Sequence, residues 1–167
     1  MENEEIRLIY ETFYRPLYLY ALSLTHHPQN AEDLVQETIL KAYLSYSGKE
    51  SIQAWLFKVL KNLFIDDYRK NKRMVHSAKE FPEDLPEDNT LPNKTENRRK
   101  WLYCQLYRLP QRERDVMILT MSSGMNDTEI AGILDLTPEN LRVIRYRVKN
   151  KLKQLAKQEE EHDGKEY

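Results

Sequence analysis

Large apolar residues recur at intervals of three and four along most of this chain, and no run of strict alternation stands out. The fullest stripe is Ile52, Trp55, Leu56, Val59, Leu60, Leu63, Phe64 and Tyr68. That spacing predicts one helix over 52–73, roughly 33 Å long at about 1.5 Å per residue. Its other side carries Lys58, Lys61, Asn62 and Arg69, and it ends in the run Arg69-Lys70-Asn71-Lys72-Arg73, opposed by Asp66 and Asp67. An apolar back with a cationic front suits a polyanion such as nucleic acid. The plainer alternative is a solvated helix in an ordinary bundle.

Upstream, Ile6, Ile9, Tyr10, Phe13, Leu17, Tyr20, Ala21 and Leu24 predict a helix over 4–25. Pro16 should kink it or split it near Arg15, since proline has no N–H and crowds the preceding turn. After His26-His27-Pro28, Asn30 is a candidate cap for a second helix with the inward stripe Ala31, Leu34, Val35, Thr38, Ile39, Ala42 and Tyr43. Glu32, Asp33, Gln36, Glu37 and Lys41 fall outside. Acidic residues in a first turn complement the helix dipole, which accounts for Glu32 and Asp33. Glu37 comes a turn too late for that, so a docking face for a basic partner is the other reading. Residues 45–51, with Gly48, form a short loop before the long helix.

Beyond Arg73 the chain becomes acidic and proline-bearing, without helical spacing, as expected of a flexible linker over 75–96. A domain over 1–74 and a second over 97–157 are thereby delimited, with an acidic, frayed tail over 158–167. In the second domain Trp101, Leu102, Leu106 and Leu109 share a helical face, and Pro110 opens a helix ending at Gly124. Asp127 is a candidate cap for a short helix bearing Ile130, Ala131 and Leu134. A tight turn through Asp135-Leu136-Thr137 follows. Thr137 then caps a helix with Pro138 at its first position, apolar at Leu141, Ile144, Val148 and Leu152. Arg142, Arg145, Arg147, Lys149 and Lys151 make its other side basic. Short helix, tight turn and basic helix predict a helix-turn-helix. The expected fold is all-α, in two small helical domains.

Composition alters one inference. The formal net charge of −1 would argue against nucleic acid, but basic residues gather in 58–73 and 142–157 while acidic ones gather in the middle and the tail. The 40% hydrophobic content suffices for a core, and 32% charged residues give a soluble surface. Cys104 is the sole cysteine, so no intramolecular disulfide forms; it reads as a core residue in a reducing, cytoplasmic protein. The four histidines lack metal-ligand spacing, so no metal or cofactor is expected. No secretory leader and no membrane insertion are expected either.

Two blocks of this sequence resemble one family. AEDLVQETILKAY, a loop, and IQAWLFKVLKNLFIDDYRKNKR resemble region 2 of bacterial RNA polymerase sigma factors. LPQRERDVMILTMSSGMNDTEIAGILDLTPENLRVIRYRVKNKL resembles their region 4. With only a linker between, the plan is similar to the extracytoplasmic-function group of the sigma-70 family. The resemblance implies promoter DNA and core RNA polymerase, through its β′ clamp helices and β flap, as partners; many members are also held by an anti-sigma protein. Asp33, Gln36 and Glu37 match positions that dock on the clamp helices. Lys58, Lys61, Asn62 and Arg69 match the region that reads and opens the −10 element, with Asn62 at a base-reading position. Thr137, Asn140, Arg142, Arg145, Arg147 and Lys149 match the −35 reader. The loop 45–51 is shorter than is common and lacks the usual Arg and Phe, and Ile144-Arg145 reverses a frequent basic-apolar order; both bear on which promoter is read.

A free-standing helix-turn-helix repressor or activator is the principal rival, and it would bind its operator without polymerase. A recombinase or nuclease needs clustered carboxylates or a nucleophile beside arginines. Asp66 and Asp67 diverge by about 100° on a helix and cannot face one ion together.

Overall fold

The computed structural model describes residues 2–70 and 93–164. Each apolar stripe becomes a helix: α1 (Asn3–Thr25), α2 (Pro28–Ser45), α3 (Ile52–Lys70), α4 (Asn93–Tyr107), α5 (Gln111–Ser122), α6 (Asp127–Leu134) and α7 (Pro138–Asp163). No strand occurs among the described residues. Most of the expected linker, and the bases at 71–73, lie outside them.

α1 is the spine. It packs on α2, α3 and α5, and Leu17–Thr25 is buried on every side. Pro16 does not split it. The carbonyl that proline leaves without a donor is that of Thr12, on the exposed half of the helix, where water can take over. The C-terminus of α1 closes at His26, in the left-handed region at φ 54°, whose N–H returns to the Leu22 carbonyl. α2 then begins earlier than expected. His27, not Asn30, caps it: His27 Nδ1 accepts from the Asn30 N–H, and Pro28 occupies the first turn, where its missing N–H costs nothing.

Three side chains on the expected stripes face outward. Tyr10 is 46% exposed, in the outer half of α1, and Tyr43 (44%) and Tyr68 (60%) lie near helix ends that run past their neighbours. Phe57, absent from the expected stripe, is fully buried against Tyr20, with ring centroids 5.8 Å apart. α3 is covered from two directions, by α1 and α2 and by α6, so its buried surface is wider than one stripe. Full burial of a side chain such as Leu56, Phe57 or Leu60 contributes roughly 1.5–3 kcal/mol.

In the second half α4 begins at Asn93, ahead of position 97, stabilised by a forked pair from Arg99 to Glu96 at 2.8 and 3.0 Å. Cys104 is half-buried rather than sealed in the core. Asn126, not Asp127, caps α6, its side chain accepting from the Glu129 N–H at 2.9 Å. Asp135 at φ 54° ends α6, and the Leu136 N–H turns back to the Ala131 carbonyl. Thr137 caps α7 through the Asn140 N–H, with Pro138 in the first turn. The helix continues through Gln158–Asp163 to Gly164, so the expected frayed tail is helical over that stretch. Nothing there breaks a helix before the glycine, and Gln and Glu are good helix formers.

The two halves pack on one another, α1 on α5 and α3 on α6. At their junction Arg114 of α5 is buried. Its guanidinium donates to the Leu106 and Leu109 carbonyls at 3.3 and 2.8 Å, to the Ser23 carbonyl at 3.1 Å, and contacts His26 Nε2 at 3.0 Å. Ser23 and Leu106 lie in the last turns of α1 and α4, and Leu109 in the connection beyond α4, where helical partners run out. Nearby, Gln53 of α3 donates to the Ser123 carbonyl. Asp115, beside Arg114, accepts from Gln111 Nε2 at 2.6 Å. Burial pushes its carboxyl up to about 6, against the lowering effects of Gln111, Arg114 and Lys61.

Two outcomes follow. Arg114→Ala should lower unfolding stability by about 3 kcal/mol or more, because several buried carbonyls lose their donor together; Arg114→Lys should recover only part, lacking the fork. Chemical denaturation of the three proteins checks this. Because the Asp115 pKa is raised in the folded state, its contribution is present below pH 4 and is lost as pH rises through about 6. Asp115→Asn should therefore match the parent near pH 4 and exceed it at pH 7.5, by up to about 3 kcal/mol. Denaturation midpoints across that range give the comparison.

Candidate nucleic-acid interface

Three faces carry the residues singled out by sequence. On α2, Asp33, Gln36 and Glu37 are exposed, and Asp33 accepts from Gln29 at 3.2 Å. Asp33 and Glu37 rim a cleft of about 490 Å³ floored by Leu34, Leu63 and Phe64. Asp66 and Asp67 of α3 line the same cleft, with Lys41 and Lys70 also on its wall, so the acidic face extends onto a second helix. Sequence reasoning passed over that extension, since only the packing of α3 on α2 brings the two pairs together.

On α3, Lys58, Asn62 and Arg69 are exposed and fall within about 40° of one another around the helix. Lys61 turns away from them. Its Nζ donates to the Ile133 carbonyl at 2.7 Å and lies 3.6 Å from Asp135 Oδ2, with its side chain 18% exposed. An ammonium at the C-terminal end of α6 complements that helix dipole. In this arrangement Lys61 joins the halves, and Lys58, Asn62 and Arg69 remain outward.

On α7 the arginines also divide. Arg142 is half-exposed, 3.6 Å from both Asp127 and Glu139. Arg145 is held: its Nη2 donates to Asp127 Oδ1 at 2.7 Å and its Nε to Thr120 Oγ1 at 3.2 Å. The hydrogen bond from Arg145 is the main cause of a depressed Asp127 carboxyl, with the Arg145 and Arg142 charges adding to it. Asp127 thus ties the start of α6 to the middle of α7 and fixes the angle between them. Asn140, Arg147 and Lys149 are exposed, and the Thr137 hydroxyl serves the cap. Val143 and Tyr146 are exposed among these polar residues. Their signal in the sequence was legible, because both stand off the stripe Leu141, Ile144, Val148 and Leu152.

Among the described residues no group of three or more His, Cys, Asp or Glu could hold a metal ion. None of the described helices is long and apolar enough to cross a membrane.

Comparison with known proteins converges on one family. Residues 9–74 match the sigma-70 region 2 family. The chain is 29% identical over 151 residues to the ECF RNA polymerase sigma factor SigM of Bacillus subtilis, covering 88% of this chain and 92% of that protein. It is 33% identical over 141 residues to the ECF RNA polymerase sigma factor EcfG of Rhodopseudomonas palustris, covering 81% and 76%. Among solved structures it resembles the sigma factor RpoE from Bartonella quintana, crystallised with the anti-sigma factor NepR. The TM-score there is 0.68 and the identity 28%, over 92% of this chain and 95% of that one. CnrH, solved in complex with the cytosolic domain of CnrY, shares the fold at a TM-score of 0.64 and 21% identity, over 93% and 90%. An all-helical chain with an acidic face on α2 and basic faces on α3 and α7, alike over most of its length to such proteins, belongs to the ECF group of RNA polymerase sigma factors.

Proposed function

We propose that this chain docks core RNA polymerase through α2 and reads promoter DNA with α3 and α7. Sigma-factor function, the direction of polymerase to promoters at initiation, comes with membership of the family. The observation that supports the assignment of surfaces is the segregation of charge: one acidic face across α2 and α3, and basic faces on the outward side of α3 and on α7. Residues 1–74 form the region 2-like part, 97–157 the helix-turn-helix of region 4 type, and 75–96 the linker. The chain catalyses nothing on this reading, because nucleotidyl transfer belongs to polymerase, and it works in the cytoplasm. A relative solved with an anti-sigma factor makes such a protein a reasonable regulator here as well.

The physics of each face fits its task. Asp33, Gln36 and Glu37 offer carboxylates and an amide to a basic helix on β′. Lys58 and Arg69 supply phosphate contacts to a melted strand, and Asn62 between them offers both a donor and an acceptor to a base edge. Holding an unstacked base costs a few kcal/mol, offset by such contacts. On α7, Asn140, Arg142, Arg147 and Lys149 face outward for duplex DNA in the major groove, whose base edges distinguish all four pairs. Arg145 acts there from behind, by holding α7 on α6.

Run-off transcription with core polymerase tests the whole reading: the chain should start transcripts that core alone does not, whereas a free-standing repressor or activator should bind DNA without polymerase. Asp33→Lys with Glu37→Lys should weaken core binding at least tenfold and abolish the transcript, with the helical circular-dichroism signal intact. Co-purification at near-normal yield would overturn the α2 assignment. The two arginines of α7 should separate. Arg142→Ala should cost about 1–3 kcal/mol of promoter binding while stability moves by about 0.5 kcal/mol at most. Arg145→Ala should lower stability by about 1–2 kcal/mol, since Asp127 and Thr120 lose a partner. Equal stability losses would contradict that division.

A further inference from the structure

We propose that Val143 and Tyr146 read thymine methyl groups in the −35 duplex. This rests on the reading of α7 as the duplex-facing helix and names the base feature it recognises. Val143 is 46% exposed and Tyr146 68% exposed, in the half of α7 nearest its N-terminus, the part of a recognition helix that reaches base edges. Neither is needed by the core, which takes Leu141, Val148 and Leu152 from the opposite side. Helical phase sets them in two adjacent rows, Arg142 with Tyr146 and Val143 with Arg147, each pair four residues apart. An apolar diagonal therefore lies between two guanidinium groups.

That arrangement matches the floor of the major groove. The guanidinium groups have phosphates or guanine edges to meet, whereas the Val143 isopropyl group and the Tyr146 ring, its hydroxyl apart, have no polar work there. The one apolar feature a base pair presents in that groove is the C5-methyl of thymine, and apolar side chains are its usual contacts. Exposed apolar residues carry a solvation cost in the free protein that burial against a methyl would recover. The tie of Arg145 to Asp127 and Thr120 strengthens the inference. It removes one cation from the set of readers and leaves more of the contact surface to this pair.

The test uses the full-length chain with core polymerase. The −35 element is first selected from a randomised promoter library. Each of its thymines is then replaced by deoxyuridine, which deletes only the methyl, and promoter-complex affinity is measured at one fixed salt concentration. Uracil at the pairs facing Val143 and Tyr146 should weaken binding about fourfold, the worth of burying one methyl group. Tyr146→Ala and Val143→Ser should each lose that sensitivity at one position, while Tyr146→Phe should keep it because the ring remains. A selected element without A·T pairs overturns the proposal, and so does unchanged affinity with every thymine replaced. Variants that lose equal binding on thymine and uracil templates also overturn it, and would identify the pair as a protein-docking patch. Failure of the complex to protect the −35 duplex at all would instead defeat the reading of α7 and the methyl contact with it.

Discussion

The arrangement of the halves depends on one guanidinium. Arg114 lies where α1 and α4 both end, and a helix end is where backbone carbonyls run out of partners. One planar fork reaches the carbonyls of Ser23, Leu106 and Leu109, and the ring of Tyr107 lies 5.6 Å away. A lysine could not serve three directions at once. A charge so placed would be costly without those carbonyls, and the carbonyls without it. Neither α1 nor α4 can therefore move far from α5 without stranding polar groups, so two segments separated by the linker are held as neighbours.

The same economy recurs at two other cations. Lys61 serves the end of α6, and Arg145 serves Asp127 at its beginning. In each case a positive side chain is matched to a carbonyl or carboxylate at a helix terminus. At the C-terminal end of α6 the backbone dipole adds to the attraction for Lys61, whereas at its N-terminal end the Asp127 carboxylate, not the dipole, holds Arg145. Basic residues in this chain consequently fall into two kinds. Some hold helices together, and others stand outward on α3 and α7 with solvent around them. Composition cannot separate the two kinds, because both read as Lys or Arg on the polar side of an amphipathic helix.

That division explains what was legible in the sequence. The helices themselves were readable, because spacing of three and four directly reports which side chains share a face. The turn at Asp135 was readable from its cap chemistry, with Thr137 and Pro138 opening α7 as expected. Phe57 was not, since its burial, against Tyr20 of α1, comes from α3 being covered on more than one side rather than from any periodicity within α3. His27 displaced Asn30 as a cap because an imidazole nitrogen can accept a hydrogen bond at that position as a carboxamide oxygen does. The roles of Lys61 and Arg145 were hidden for the same reason as Phe57. Their partners lie far along the chain, and no local pattern encodes a contact that only packing creates.

The consequence for function is electrostatic. Affinity for DNA grows with the number of phosphates neutralised, and each such contact releases counterions and steepens the dependence on salt. Cations tied to internal acceptors contribute little to that sum. On α7, Arg145 is held and Arg142 is shared with Asp127 and Glu139, so fewer charges face outward than the sequence suggests. With a net charge of −1 the whole chain has little long-range attraction for DNA. On the proposed assignment of surfaces, a sigma factor built this way would gain its promoter affinity only together with polymerase. Selectivity would then rest on the few outward groups of α3 and α7, which is where the weak overall charge becomes an advantage. Nonspecific binding, being almost wholly a phosphate effect, is suppressed more than specific binding is.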